Sequence, residues 1–462
     1  MNLSQIEIRN YRSIDRAVIE IDFNGNGART IGLLGLNEAG KSSLLKAIAL
    51  KDGTIKIEPK DFRDKQAPVE IVFTYCSPGM EANWDDLLLV ESVAADVDEF
   101  DSSKMAYVVS FAPQTLSKSL HIEVAKLNGK IIRLAVPEGK TTSLHRTIFW
   151  TAEDKYLISR PIELSSFAVQ PDAVSIPLRN CFLLADIRDI SARIKAITGD
   201  STEVEHLQDQ LGTAVTQHIK NVWPNHPIRV TFLISDGNIN FHVRDEGAGG
   251  KAKTADQRSD GFKQFVSFLL TVSAENKNQE LKSCILLLDE PETHLHPLAQ
   301  EYLLGELIKI TQNDRFNVCL FATHSVFMID KVSLTRNVRV SKPQETTVLQ
   351  PFAHGMATYA SVTYDVFDIP TTDYFVELYS SLHLAFQEAD DKDPSRGNIK
   401  NFDQKYFHEE KSRPLEKPWK GIPNSSTIHT FIRNCIHHPD NGESYTQVQL
   451  RSSIAELRSF VT

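Results

Sequence analysis

The feature that most constrains the fold of this 462-residue chain is a glycine-rich loop near its start. An apolar strand at 31–34 leads directly into GLNEAGKSS, residues 35–43, and helical spacing follows. This is the pattern G-x-x-x-x-G-K-S in the strand–loop–helix order that phosphate binding requires. The glycines let backbone N–H groups turn inward around phosphates, and the helix N-terminus adds partial positive charge. The loop therefore predicts an α/β fold that binds a nucleoside triphosphate.

Individual positions in this loop have distinct expected roles. Lys41 is expected to reach the β- and γ-phosphates of ATP, and the hydroxyl of Ser42 is expected to hold Mg²⁺. The other residues of the loop that we predict to bind the nucleotide are Gly35, Asn37, Glu38, Ala39, Gly40 and Ser43. ATP and Mg²⁺ are accordingly the cofactors that the sequence predicts.

A second motif, CILLLDEPETHLH at 284–296, supplies carboxylates for the same site. Its first five residues are apolar without alternation, which is typical of a parallel strand buried on both faces. Asp289 and Glu290 follow at the carboxyl edge of the strand, where α/β proteins bind ligands. We expect Asp289 to orient Mg²⁺ and Glu290 to polarise the attacking water as a general base.

A third apolar strand, residues 318–322, ends in Thr323-His324-Ser325. A histidine at the end of a neighbouring parallel strand can contact the γ-phosphate, so we interpret His324 in that role. Together with Lys41 and Glu290, it completes the predicted catalytic set.

These motifs resemble those of the ABC-type ATPases of the RecF and OLD-nuclease kind. The resemblance rests on the loop with Asn37, on LLLDEPE-x-HLHP at 286–297 and on THS at 323–325. It implies an ABC-type head, in which a mixed sheet with helices is joined to an antiparallel lobe. It also implies that ATP lies between two heads, so the chain would form a dimer of heads or a higher homo-oligomer.

The resemblance also implies a signature segment just before the second acidic strand. The segment RSDGFKQFVSFLL at 258–270 occupies that place. In it, Ser259 and Gly261 resemble the serine and glycine that contact the γ-phosphate bound by the opposite subunit. Lys263 is a weaker candidate in the same segment.

Other positions are assigned to the site by the same resemblance. Arg12, within IRNYRS at 8–13, matches the N-terminal element of the family and is a candidate phosphate neighbour. His294 and His296 are interpreted as positioning residues between heads. The glutamine loop of the family is not recognisable in the sequence, and Gln66 is a guess at its position.

The chain is predicted to contain two domains. Residues 1–346 form the ATPase, with antiparallel strands after the phosphate loop and a short helical arm near 190–222. A stripe of apolar residues marks one face of that arm: Val204, Leu207, Leu211, Val215, Ile219 and Val222. At roughly 30 Å this helix is too short for the long coiled-coil arms of chromosome-maintenance proteins. Residues 347–462 form a helical C-terminal domain for oligomerisation or partner docking.

The C-terminal segment, 346–462, lacks the strand-borne Glu and later Asp-x-Asp of the Toprim domains that follow OLD ATPases. The acidic run EADDKDPS at 388–395 lies among loop formers, which is typical of a solvated turn. A helix is expected over SSTIHTFIRNCIHH, with Ser425 or Ser426 as N-cap. Thr446-x-x-Gln449 predicts a capping box that opens a final helix.

Arg433 and His438 match the R-x4-H spacing of HEPN ribonucleases, which raises an alternative function. In such enzymes histidine acts as acid or base and arginine stabilises charge on the phosphate. On an ideal helix, however, His438 lies about 140° from Arg433, whereas His437 shares its face. Structural, docking and cleavage roles all stay open at this point.

The combination IRNCIHHPDN…YTQVQLRSSIAEL, after a Toprim-less OLD-like ATPase, is similar to the PtuA family of ATPases. These belong to Septu anti-phage defence systems and to some retron defence systems. The resemblance covers the whole chain and implies a partner, an HNH-type nuclease of the PtuB kind. ATP would then control that nuclease in an oligomer of ATPase subunits.

Composition limits the remaining function classes. The net charge of −10 argues against a surface that coats nucleic acid. Residues 392–420, with eight Lys/Arg against five Asp/Glu, leave local nucleic-acid contact and a RecF-like repair ATPase as alternatives. Five scattered cysteines are typical of reduced thiols, and no apolar run suffices to span a bilayer. We therefore expect a cytoplasmic protein without membrane contact.

Overall fold

The computed structural model describes residues 2–21, 28–76, 88–94, 104–126, 130–135, 145–157, 160–222, 228–245, 253–254, 266–267, 270, 283–293, 295–313, 316–352, 358–389 and 394–461. The chain forms two compact units, Met1–His354 and Gly355–Thr462. The first unit contains the strands β1 (Asn2–Tyr11), β2 (Ile14–Glu20), β3 (Thr30–Leu34), β4 (Val69–Cys76), β5 (Leu88–Ala94), β6 (Lys104–Phe111), β7 (Lys118–Lys126), β8 (Lys130–Ala135), β9 (Arg146–Thr151), β10 (Ile162–Glu163), β11 (Ile228–Ser235), β12 (Asn238–Asp245), β13 (Lys253–Thr254), β14 (Cys284–Asp289), β15 (Val318–Thr323), β16 (Asn337–Ser341) and β17 (Val348–Pro351). Its helices are α1 (Lys41–Ala49), α2 (Leu164–Val169), α3 (Pro171–Val174), α4 (Ile176–Leu184), α5 (Ile190–Ala196), α6 (Ser201–Val222) and α7 (Pro297–Asn313).

A mostly parallel sheet of six strands forms the centre of the first unit, in the order β17-β16-β3-β15-β14-β9. Every residue of β3, β14 and β15 is buried, because both faces of the sheet are covered, as the continuous apolar runs predict. In register, Asp289 lies opposite Ala322 and Thr323 lies opposite Leu34. The three strands therefore end at the same edge of the sheet.

A second sheet of seven strands is antiparallel throughout, in the order β2-β1-β4-β6-β7-β8-β5. The helix α1 packs against β1 of this sheet and against β9, β14 and β15 of the six-stranded sheet. Its residues Leu44, Leu45 and Ile48 are buried between the two sheets. The predicted α/β class, with a mixed sheet and an antiparallel lobe, is confirmed.

The predicted arm consists of two helices, α5 and the 22-residue α6. Within the stripe, Leu207, Leu211, Val215 and Ile219 are fully buried. The helix packs on β11 of the hairpin β11–β12, whose turn lies at Asp236-Gly237. The apolar stripe is therefore covered by its own hairpin and by α4, and a small core of its own forms there.

The second unit contains α8 (Tyr359–Phe367), α9 (Thr372–Glu388), α10 (Ile399–Phe402), a π-helix (Asp403–Glu410), the strands β18 (Lys417–Trp419) and β19 (Ile422–Ser426), α11 (Ile428–His437) and α12 (Gln447–Val461). Its core is rich in aromatic side chains from α9, α10 and the π-helix, among them Phe375, Phe402 and Phe407. The helical prediction for this region omitted the two-stranded hairpin β18–β19, whose strands are short and rich in Pro, Asn and Ser.

Two details of this unit test the predicted helix ends. The capping box of α12 is formed: the Gln449 Oε1 accepts from the Thr446 N–H at 2.8 Å, and the Thr446 hydroxyl accepts from the Gln449 N–H at 3.2 Å. The N-cap of α11 is Thr427, so the expectation of Ser425 or Ser426 was wrong. The Ser426 hydroxyl is instead used by the β18–β19 hairpin, where it donates to the Pro418 carbonyl at 3.1 Å.

The sheet of the first unit extends past the expected domain boundary at residue 346. Val348–Pro351 pairs with β16, and the compact unit ends at His354. No helix in the described part of the chain is long and apolar enough to cross a membrane.

Candidate nucleotide-binding site

The glycine-rich loop leaves β3 and turns sharply against the β16–β17 hairpin. A Cβ atom on Gly35 would lie 2.3 Å from the carbonyl oxygen of Val340, and a Cβ atom on Gly40 would lie 2.2 Å from the Thr347 Oγ1. Gly40 also has a φ of 103°, in the left-handed region that favours glycine. Both glycines are therefore required by close packing behind the loop as well as by its turn.

Lys41 begins α1 and is only 4% exposed. Its Nζ donates to the carbonyl oxygens of Gly35 at 2.8 Å and Leu36 at 2.9 Å, so the side chain curls back along the loop. Burial lowers its pKa, and the nearby carboxylates, chiefly Glu290 and then Asp289, oppose this change. The ammonium group thus lies inside the loop, where phosphate oxygens would replace the carbonyl oxygens as its partners.

Ser42 and Asp289 meet although they are far apart in sequence. The Ser42 hydroxyl donates to the Asp289 Oδ1 at 2.8 Å, and Asp289 is 8% exposed at the end of β14. Burial raises the pKa of Asp289, and its hydrogen bond from Ser42 acts against this. A hydroxyl and a carboxylate are the hard oxygen donors that Mg²⁺ prefers, so the pair fits the ion that the sequence predicts.

Glu290 and His324 form a second pair at the same edge. The His324 Nδ1 lies 3.3 Å from the Glu290 Oε1, and the two side chains are 45% and 33% exposed. Glu290 has a φ of 52°, and its backbone N–H donates to the Ala322 carbonyl at 3.0 Å. The strained turn aims the carboxylate toward solvent next to the loop.

A cavity of about 340 Å³ is bordered by Lys41, Ser42 and Glu290, whereas their partners Asp289 and His324 are outside its lining. Its lining consists of Ser13, Asn37, Glu38, Gly40, Lys41, Ser42, Ser43, Glu290 and Lys342. Ser13 and Lys342 were missed by the sequence analysis. The signal for Ser13 was present in IRNYRS, directly after Arg12, but Lys342 has no local signal because β16 reaches the loop only through pairing with β3.

The other predicted residues do not line the cavity or lie outside the described part of the chain. The Arg12 Nε lies 2.7 Å from the Asp61 Oδ1, so the Asp61 carboxylate holds the guanidinium. Asp61 is not part of the cavity lining. Gln66 is exposed in the turn before β4, where its backbone N–H donates to Asp64. His296 precedes α7 and accepts from the Leu298 N–H at 3.4 Å. The predictions for Ser259, Gly261, Lys263 and His294 lie outside the described residues.

The alternative ribonuclease residues lie at the end of α11. The Arg433 Nη1 donates to the Asn434 Oδ1 at 3.1 Å, and His438 is the exposed C-cap residue. Burial, followed by the charges of Arg433 and His438, lowers the pKa of His437. The described residues contain no group of three or more His, Cys, Asp or Glu side chains that could hold a metal ion. Residues 390–393 of the acidic run at 388–395 lie outside them.

Comparison with known proteins finds a family match over the segment that contains the second half of this site. Residues 182–330, which include Asp289, Glu290 and His324, match the family model described as "AAA domain, putative AbiEii toxin, Type IV TA system". The chain is also 25% identical, over 143 residues, to MJECL43 of Methanocaldococcus jannaschii. That match spans 29% of this chain and 36% of the length of the relative.

Similar solved structures include a SmcHead bound to the C-winged helix domain of ScpA, at 14% identity and a TM-score of 0.43. It covers 77% of this chain and 98% of the other. The Smc head domain of Pyrococcus furiosus, with an extended coiled coil and bound to ScpA, has 12% identity, a TM-score of 0.41 and coverage of 76% and 96%. The SMC head domain of Thermotoga maritima has 10% identity, a TM-score of 0.37 and coverage of 76% and 100%. The segment 182–330 is thus similar to an AAA domain, and the phosphate loop at 35–43 lies in the same compact unit.

Proposed function

We propose that this chain is the ATP-hydrolysing subunit of an anti-phage defence complex, which assembles into an oligomer and controls a partner HNH-type nuclease. The observation that carries the ATPase part is the convergence of three chemical groups at one sheet edge. Lys41, the Ser42–Asp289 pair and the Glu290–His324 pair come from three different strand ends. The defence role and the nuclease partner are supported by the resemblance of the tail to the PtuA family.

Some residues of the site bind the nucleotide and the metal ion, and others take part in proton transfer during hydrolysis. Lys41 leaves its two loop carbonyls to bind the phosphates, while Ser42 and Asp289 supply oxygen ligands for the metal ion. An Mg²⁺ ion held by these two residues would neutralise charge on the phosphate oxygens. Glu290 accepts the proton of the attacking water, and His324, 3.3 Å away, keeps that carboxylate oriented.

Lys342 adds a second positive charge to the cavity. Its Nζ lies 2.7 Å from the Glu345 Oε2, and Glu345 itself is almost fully exposed. An exposed ion pair of this kind contributes little and exchanges easily. We therefore assign Lys342 to the nucleotide, with Glu345 as its partner while no nucleotide is bound.

The direct test is nucleotide binding and hydrolysis by wild type, Lys41→Ala and Glu290→Gln. Lys41→Ala should lose ATP binding, whereas Glu290→Gln should bind ATP with Mg²⁺ and lose hydrolysis by about 100-fold or more. A fluorescent ATP analogue reports binding, and phosphate release reports hydrolysis. Glu301→Ala is the matched control. Glu301 lies on α7, and its exposed side chain pairs with Lys331. Full hydrolysis by Glu290→Gln would contradict the assigned general base.

A further inference from the structure

Hydrogen bonds between buried side chains join the turns that follow β14 and β15. These side chains have no assigned role in ATP hydrolysis. Glu292, in the first turn, is 1% exposed. Its Oε1 accepts a hydrogen bond from the Thr323 hydroxyl at the end of β15. That hydroxyl in turn accepts from the backbone N–H of Ser325 at 3.0 Å. The chain is therefore held on both sides of His324.

A second tie joins the same two turns through Gln300 on α7. Its Nε2 donates to the Leu295 carbonyl at 2.8 Å, and its Oε1 accepts from the Ser325 hydroxyl. The Ser325 hydroxyl also accepts from the Phe327 N–H at 3.1 Å, which fixes the far side of the turn. The imidazole of His324 lies between these fixed points, with its Nδ1 3.3 Å from the Glu290 Oε1.

The carboxyl group of Glu292 is buried with only one of its oxygens hydrogen-bonded within the described residues. Within the described part of the chain its Oε2 has no hydrogen-bond partner, although the oxygen is buried. Burial raises the pKa of Glu292 to about 7, against the hydrogen bond from Thr323 and the charge of His324, while the charge of Glu290 adds to the rise. The ammonium of Lys41 is the other charge close to this carboxyl group.

We propose that Glu292 is a positioning residue for His324. Its buried carboxyl group orients the Thr323 hydroxyl, which fixes the backbone around His324 and keeps the imidazole against Glu290. The inference rests on the proposed ATP hydrolysis for its catalytic consequence. The geometry of His324 itself is a property of the protein without nucleotide, and it can be measured separately.

The kinetic test compares Glu292→Gln, Glu292→Ala, Thr323→Ser and Thr323→Val. Glu292→Ala and Thr323→Val break the tie and should lower kcat about 10- to 100-fold with unchanged ATP affinity, because a small displacement of a catalytic group is costly. Glu292→Gln and Thr323→Ser keep a hydrogen-bonding group at each end and should restore most of the rate. Equal losses in Glu292→Gln and Glu292→Ala would overturn the proposal.

A double substitution tests whether the effect passes through His324. Because residues that act as one unit are not additive, Glu292→Ala with His324→Ala should be no slower than His324→Ala alone. A loss that multiplies the two single losses would assign Glu292 a separate role and contradict the proposal.

A measurement without nucleotide separates this proposal from the ATPase itself. The imidazole NMR signal of His324, assigned by its absence in His324→Ala, should move in Glu292→Ala and Thr323→Val and stay in place in Glu301→Ala. If wild type fails to hydrolyse ATP but the signal moves, the proposed function fails and the positioning stands. An unmoved signal in both variants refutes the positioning, whatever the hydrolysis rate.

Discussion

At the residue scale, the phosphate loop shows how far a motif can be interpreted. The sequence analysis explains the glycines at 35 and 40 by the need for backbone N–H groups to face phosphates. The structure adds a separate steric reason, because Val340 and Thr347 stand directly behind these two positions. Those neighbours belong to a hairpin some three hundred residues later in the chain, so no local pattern could reveal them.

Gly35→Ala should destabilise the protein by about 2 kcal/mol or more, because the new Cβ would overlap a backbone carbonyl that cannot rotate away. Gly305→Ala is the matched control: it lies in α7 with nothing within 4 Å of the added Cβ. It should be stabilising by about 0.5–1 kcal/mol. Urea unfolding midpoints give both values, and equal stability of the two variants would contradict the steric argument.

Lys342→Ala should weaken ATP binding about fivefold, since it removes one partly exposed charge from the cavity lining. Glu345→Ala removes only the partner that holds Lys342 away from phosphate, and should leave affinity unchanged or slightly higher. Titration of a fluorescent ATP analogue at two salt concentrations distinguishes them. Weaker binding by Glu345→Ala would show that the ion pair builds the site.

Glu292 gives a pH dependence of stability with a definite sign. Its pKa is raised from 4.5 to about 7, so the folded protein holds a proton that the unfolded chain releases. Stability should therefore fall as pH rises from about 4.5 to 7 and level off above this range, by at most about 3 kcal/mol. Glu292→Gln should remove this decline. The free energy of unfolding of wild type and of Glu292→Gln is compared across pH 4.5–8. The same pH dependence in both proteins would contradict the raised pKa of the buried Glu292.

At the scale of elements, the sequence predicts those parts whose pattern is set locally. β3, β14 and β15 were recognisable as continuous apolar runs, and the stripe of α6 was recognisable from helical spacing. The hairpins β16–β17 and β18–β19 were not, because short strands with few apolar residues depend on their neighbours for pairing. That is also why the expected boundary at 346 falls inside the first unit, which ends at His354.

The second unit contains a buried polar cluster that sequence reasoning passed over in favour of Arg433 and His438. The fully buried His429 has its Nδ1 2.5 Å from the Ser453 Oγ and its Nε2 2.9 Å from the Glu456 Oε2. These residues join α11 to α12. The histidine whose contacts are fixed is therefore His429, which lies one helical turn before Arg433 of the R-x4-H match.

His429→Ala should destabilise the protein by about 2–4 kcal/mol, because it leaves a cavity and two buried or half-buried polar groups without their partner. His438→Ala, at an exposed position, should change stability by less than about 0.5 kcal/mol. Thermal unfolding measures both. Loss of RNA cleavage in folded His438→Ala, by a chain purified without a partner, would support the ribonuclease alternative.

At the scale of the whole molecule, the chain consists of two compact units, each with its own core. The first unit carries the phosphate loop after β3 and the carboxylates after β14, with β15 between these two strands. We propose that ATP controls assembly through the heads and that the second unit docks other chains. The PtuA-like tail is the observation that directs this proposal to a nuclease partner.

The most direct test is the mass in solution, by light scattering, of wild type, Lys41→Ala and Glu290→Gln. Each is measured with and without Mg-ATP, alone and mixed with any nuclease that is encoded beside it. We predict that wild type and Glu290→Gln form a large oligomer that co-elutes with the nuclease, and that Lys41→Ala does not respond to ATP. A monomer under all conditions, with no bound nuclease, would contradict the proposal.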